Sequence, residues 1–171
     1  MDAVEDRWLE PAEMRAWLSY VATSALLEAA LDRQLQRESG MPHAYYQILA
    51  MLSDAPGRTL RMSDLAALTQ SSQSRLSHAA NRLEANGWVR RSQCPDDRRG
   101  TLATLTGRGY QVLVEAAPGH VRTVRRYLFD RLTAEQVEQF TEILQTVLAG
   151  LVEDGGPALP LPPLPGTTAG G

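Results

Sequence analysis

The 171-residue chain contains no lysine; apart from three histidines, every basic side chain is an arginine. Arginine keeps its charge at any ordinary pH and presents a planar fork suited to bidentate phosphate and guanine contacts. There is one cysteine, Cys94, which excludes a disulfide framework within the chain and fits a reducing compartment. Long apolar runs are missing too. The longest uncharged stretches with a helical pattern, Ala16 to Leu27 and Ser39 to Ser53, are too short and too polar to cross a bilayer. The acidic start, Met1-Asp2-Ala3-Val4-Glu5-Asp6, lacks the basic and apolar regions of a signal peptide, so a cytoplasmic protein without membrane contact is expected. His43, His78, His120 and Cys94 include no pair at metal-ligand spacing, and neither a phosphate-cradling glycine loop nor G-x-S-x-G occurs. No catalytic residue, metal or cofactor is expected.

What is present is a charge split. The net charge of −3 hides nine arginines against four acids between Arg58 and Arg108, a local balance of +5. A central third of that sign suits a polyanion, while the acidic flanks keep the chain soluble.

The pattern from Pro11 to about Arg37 is helical, with a broad apolar stripe closed by Gly40-Met41-Pro42. His43 to Ser53 predicts a second helix, and Thr59-Leu60 a short strand able to pair with a hairpin further on. Met62 to Leu68 predicts a third helix, with Arg61 a poor residue at its N-cap. A fourth follows a polar turn, from about Ser72 to Ala85, with Asn86-Gly87 as its left-handed cap. On this fourth helix Leu76, Ala79, Ala80 and Leu83 form one buried face. The rest presents Gln73, Ser74, Arg75, Ser77, His78, Asn81 and Arg82, with no carboxylate before Glu84. Amides, hydroxyls, an imidazole and guanidiniums make a donor-rich surface for base edges and phosphates.

Next come two β-like runs, Trp88 to Ser92 and Thr101 to Leu105, around a polar turn from Cys94 to Gly100. Taken alone, this hairpin is either an ordinary surface ribbon with a charged tip or a ribbon whose arginine pair enters a nucleic-acid groove. Two short helices joined by a tight turn and followed by a hairpin constitute a winged helix-turn-helix. Beyond it, helix is expected from Gly107 to Ala117, broken or kinked at Pro118-Gly119 and resuming from His120 to Leu132. A last helix, capped by Thr133 with Gln136, runs to about Val152. Its stripe of Val137, Phe140, Ile143, Leu144, Val147, Leu148 and Leu151 is too continuous for a small domain to cover and points, with the first helix, to a dimer interface.

Asp97-Arg98-Arg99-Gly100-Thr101-Leu102-Ala103-Thr104-Leu105-Thr106 resembles the D-x-R-x5-L-T wing signature of the MarR family of bacterial transcription regulators. Leu65-Ala66, the Ser/Gln-rich turn, Arg82-Leu83-Glu84, Gly87 and Gly109 fall where that family has similar residues. The resemblance spans about 11–152. It implies a mainly α fold with a small β-hairpin wing: a winged helix-turn-helix at about 43–106, flanked by dimerisation helices at about 11–37 and 107–152. Residues 1–10 are then an extension and 153–171 a disordered Pro/Gly tail. The resemblance further implies a homodimer on a pseudo-palindromic site in double-stranded DNA. Arg99 would enter the minor groove, Asp97 would orient it, and Arg98 would contact phosphate. Ser74, Arg75 and His78 would face the major groove, with Arg82 nearer the backbone and Ser72, Gln73 and Ser77 beside them.

Regulators of this kind often release DNA when a small aromatic anion enters the cleft between dimerisation helices and winged domain; Trp17, Tyr20, His43, Tyr46 and Arg61 are the candidate lining. The expected function is therefore a repressor released by an aromatic or phenolic ligand. Two alternatives stay open: redox sensing through Cys94, which lies among arginines able to lower its pKa, and an architectural DNA binder without effector.

Overall fold

The computed structural model describes residues 7–95 and 97–155, the side chains of Arg98 and Arg99 excepted. Six helices and one three-stranded sheet follow in the order α1 (Pro11–Ser39), α2 (His43–Asp54), β1 (Thr59–Arg61), α3 (Met62–Leu68), α4 (Gln73–Ala85), β2 (Val89–Cys94), β3 (Asp97–Leu105), α5 (Gly107–Tyr127) and α6 (Ala134–Glu153). Short 3-10 turns at Pro56–Arg58 and Phe129–Arg131 punctuate the chain. The fold is thus the mainly helical winged arrangement that the sequence led us to expect. The Pro/Gly segment from residue 156 lies outside the described residues.

Local chemistry accounts for most of the element ends. Pro11 opens α1, where its missing N–H costs nothing. Gly40 closes it in the left-handed region at φ 64°, and the same chain reversal buries Met41 completely. Gly87, at φ 72°, does the same after α4. Thr133 and Gln136 exchange capping hydrogen bonds at the start of α6. α2 is capped differently. Its N-cap is Pro42, which has no acceptor side chain, so Asp32 on α1 accepts from the His43 N–H at 2.9 Å and ties the two helices together.

The core forms where α1 to α5 and the sheet meet: Leu35, Met41, Leu49, Leu52, Leu65, Leu76 and Leu83 are fully buried, with Val89, Ala103 and Leu105 contributed by the strands and Leu113 and Ala116 by α5. All strands are antiparallel in the order β1-β3-β2, with Thr59 opposite Thr104 and Val89 opposite Leu105. β1 is the short strand expected at Thr59-Leu60, and Thr59 and Thr104 share a hydroxyl hydrogen bond of 2.9 Å across the pair.

Two sequence expectations are corrected. The hairpin turn does not extend from Cys94 to Gly100; β2 runs through Cys94 and β3 starts at Asp97, with the register jumping between Gln93 and Cys94. Gly100 permits this, because a Cβ there would sit 3.1 Å from the Cys94 Cβ. Nor does Pro118 break its helix: α5 is continuous from Gly107 to Tyr127. Proline removes one backbone donor, but Leu113, Ala116 and Gly119 are buried on either side of it. At Gly119 the backbone approaches α1 so closely that a Cβ would lie 2.5 Å from both the Gln34 and Glu38 side chains. Packing against α1 thus holds both halves of α5 in one helix.

α6 buries no residue at all. Ile143, Val147 and Leu151 are each more than half exposed, as are Trp17, Leu18 and Leu26 on α1. Among the described residues nothing covers this apolar surface.

Candidate nucleic-acid interface

The α3–α4 turn is built by its hydroxyls. Thr69 Oγ1 donates to the Leu65 carbonyl at 2.7 Å and Ser71 Oγ to the Thr69 carbonyl, while Gln70 takes a left-handed conformation at φ 49°. Ser72 then accepts from the Arg75 N–H and starts α4. The buried stripe of Leu76, Ala80 and Leu83 seats α4 on the core. Gln73, Ser74, Arg75, Ser77, His78, Asn81 and Arg82 are all exposed, and none of their side chains has a hydrogen-bond or ion-pair partner among the described residues. Their donors are therefore free to meet another molecule.

Glu84, at the far end of that helix, is differently employed. It accepts from Arg91 Nε at 2.9 Å, from Arg91 Nη2 at 2.7 Å and from the Arg91 backbone N–H at 3.0 Å. These charge-assisted bonds hold the Glu84 carboxyl below the usual carboxylate range and clamp the wing strand β2 to α4. The sequence showed Glu84 only as the first acid on the helix. Its partner seven residues on falls outside any helical or strand spacing rule, so nothing local signalled the fork.

In a groove that Arg91 also lines, Asp97 pairs with Arg61 Nη1 at 3.6 Å, and Gly100 leaves the space in which they meet. Arg61 sits at the N-cap of α3 without capping it, as expected from its side chain. Together with Ser63, Gln73, Ser77 and Thr101 these residues line a polar groove of about 350 Å³ between helix-turn-helix and wing. Arg98 and Arg99 belong to β3 by their backbone; Asp96 and the side chains of Arg98 and Arg99 lie outside the described residues. Cys94 is buried, with 6% of its surface exposed.

The five residues expected to line an effector cleft do not come together. Arg61 is engaged at the wing, and Trp17 and Tyr20 face each other at 6.1 Å on the exposed part of α1. His43 and Tyr46 do form a cluster, completed by two residues the sequence did not single out. The His120 ring stacks on Tyr46 at 4.3 Å and on His43 at 5.4 Å, and Glu28 meets His43 Nδ1 at 2.8 Å. Elements distant in sequence contribute these groups, so no spacing could have revealed them. Burial, and then the neighbouring His43, hold the His120 imidazole below the ordinary histidine range, and its buried Nδ1 has no hydrogen-bond partner. Burial raises the Tyr46 phenol.

This cluster carries a pH prediction. A histidine depressed in the fold takes up its proton more readily when unfolded. Its contribution to stability is complete above the ordinary histidine pKa of about 6.5 and is lost as the pH falls from there through the lower folded value. The Tm of the parent chain is expected to fall between about pH 7.5 and 5.5, and His120→Gln is expected to flatten that fall. Parallel melting profiles for the two proteins would refute the assignment.

Among the described residues no helix is long and apolar enough to cross a membrane, and no group of three His, Cys, Asp or Glu side chains could hold a metal ion.

Comparison with known proteins agrees with this geometry. The MarR family model matches residues 39–100, from the end of α1 into the wing. Sco3205, a MarR family transcriptional regulator from Streptomyces coelicolor whose crystal structure is in complex with DNA, is 52% identical; the match covers 90% of this chain and 98% of that one, with a TM-score of 0.81. AbsC, a MarR family transcriptional regulator from the same organism, is 39% identical, with 86% and 99% covered and a TM-score of 0.77. The transcriptional repressor MprA of Escherichia coli K12 is 26% identical over 124 residues, 71% of this chain and 70% of MprA. A free donor face on α4, a wing clamped beside it and a near full-length likeness to Sco3205 make one conclusion: the chain belongs to the MarR family, and is a DNA-binding transcriptional regulator rather than an enzyme.

Proposed function

We propose that this regulator is a cytoplasmic homodimeric repressor that binds a pseudo-palindromic operator, α4 entering the major groove and the wing the adjacent minor groove. The observation that carries this reading is the unpartnered donor face of α4 beside a wing fixed by Glu84 and Arg91. Ser74, Arg75 and His78 read base edges in it. Ser72, Gln73, Ser77 and Arg82 flank them, Arg98 contacts phosphate, and Arg99 enters the minor groove. Asp97 braces the wing through its ion pair with Arg61. Sco3205 bound to DNA supports DNA as the partner, and the repressor MprA supports the sign of regulation. Dimerisation is supported by the uncovered apolar faces of α1 and α6.

The effector reading rests on the Glu28–His43–Tyr46–His120 cluster. Its stacked rings suit a small aromatic ligand, whereas Trp17 and Tyr20 pair with each other. Redox sensing through Cys94 is disfavoured by the burial of its thiol.

The direct test is Arg99→Ala. It should weaken operator binding by about 1–3 kcal/mol while the dimer stays folded. A gel-shift titration in which parent and variant bind alike would refute the wing assignment.

A further inference from the structure

Outside the DNA-reading region the chain has eight arginines, and five of them converge on one groove between α1 and α5: Arg33, Arg37, Arg122, Arg125 and Arg126. Only two acids share the groove. Asp130 is taken by Arg125 at 2.8 Å, and Glu38 is divided between Arg37 at 3.1 Å and Arg122 at 3.7 Å. Three positive charges are left over, in the flanking two-thirds of the sequence that are otherwise strongly acidic.

The floor of this groove is built rather than accidental. Gly119 brings α5 against Gln34 and Glu38, and any side chain there would collide with both. Gln34 is 4% exposed, and its Nε2 donates to Glu38 at 2.9 Å. Since a carboxylate only accepts, this fixes the amide orientation and leaves Gln34 Oε1 as a buried acceptor with no partner. A ligand satisfying it must bring a hydroxyl or N–H donor as well as negative charge. Tyr127, with the Arg126 guanidinium 5.3 Å from its ring centre, adds a half-exposed aromatic face to the same lining. The space is about 480 Å³, within the usual range of small-molecule sites, roughly 300–1,000 Å³.

We propose that the groove between α1 and α5 binds a nucleotide. Arg33, Arg37 and Arg122 hold the phosphates, a ribose hydroxyl donates to Gln34 Oε1, and the base stacks on Tyr127. Arginine forks suit phosphate oxygens, and a ring stacked on an aromatic face gains further affinity. Neither the operator nor the aromatic cluster around His120 is needed for this site, so its test stands apart from the proposed function.

Titration calorimetry of the full-length chain with ATP, inorganic pyrophosphate and adenosine is the experiment. ATP and pyrophosphate should bind, ATP more tightly, and adenosine should give no heat. Arg33→Ser combined with Arg122→Ser should weaken both anions at least about tenfold, while operator affinity without ligand is unchanged. Gln34→Met should cost ATP its advantage and leave pyrophosphate binding intact. The proposal is overturned if ATP gives no heat at millimolar concentration or if the double variant binds it as well as the parent. It is overturned equally if the double variant sediments as a monomer, since the arginines then meet acidic residues of a second copy.

Discussion

Ile143→Glu combined with Val147→Glu is expected to give a monomer that binds operator DNA roughly 100- to 10,000-fold more weakly than the parent. The reasoning starts from α6, a capped helix with an apolar stripe and no buried residue. Its own domain cannot supply the cover, since the core is already complete without it. If a second copy covers the stripe, two carboxylates per helix must be desolvated there without partners, which a dimer cannot tolerate. Each winged domain would keep its fold and its α4 surface. What disappears is the second half-site contact, which linkage turns into an intramolecular event of high effective concentration. Sedimentation velocity and a gel shift on the same samples check this. A variant that remains dimeric would show that the interface lies elsewhere.

Gly109→Val is expected to destabilise the chain by about 3 kcal/mol or more, near the upper end for overpacking a close-fitted site. A Cβ at Gly109 would lie 2.1 Å from the Trp88 carbonyl oxygen, which is backbone and has little room to retreat. That oxygen already accepts from the Thr106 N–H at 3.0 Å and from the Thr106 hydroxyl at 3.1 Å. Thr106 in turn caps α5 by accepting from the Gly109 N–H, also at 3.0 Å. Wing base and α5 are therefore joined in a single knot, and the variant forces it open. Thr106→Val, which loses the cap but keeps the shape, should cost less, about 1–2 kcal/mol. Urea denaturation distinguishes the two; equal midpoints for Gly109→Val and the parent would refute the contact.

Much of this was legible in the sequence because it is written locally. Thr133 and Gln136 announce a helix start, Asn86-Gly87 a helix end, and Leu76, Ala80 and Leu83 a buried face, each within a few residues. Met62–Leu68 was bounded correctly for the same reason. What escaped was tertiary. Pro118-Gly119 reads locally as a break or kink; the break is absent because of a contact, α1 at Gly119, some eighty residues away in the chain. The Asp32 cap on α2, the Glu84–Arg91 fork and the His43–Tyr46–His120 stack all join elements whose proximity only the fold decides. Arg61 illustrates the converse: assigned by resemblance to the effector cleft, it is drawn to the wing by Asp97.

The Glu84–Arg91 and Arg61–Asp97 pairs also govern how binding responds to ionic strength. Each phosphate neutralised by a protein cation releases condensed counterions and contributes about 0.9 to the slope of log K against log salt. A guanidinium already facing a carboxylate releases few. The nine arginines of the central third therefore overstate the number of ions expelled, whereas the +5 balance already deducts Glu84 and Asp97, and the clamp that stiffens the wing also removes Arg91 from the pool of non-specific attraction. Rigidity at this joint shifts discrimination toward base edges and away from bare charge.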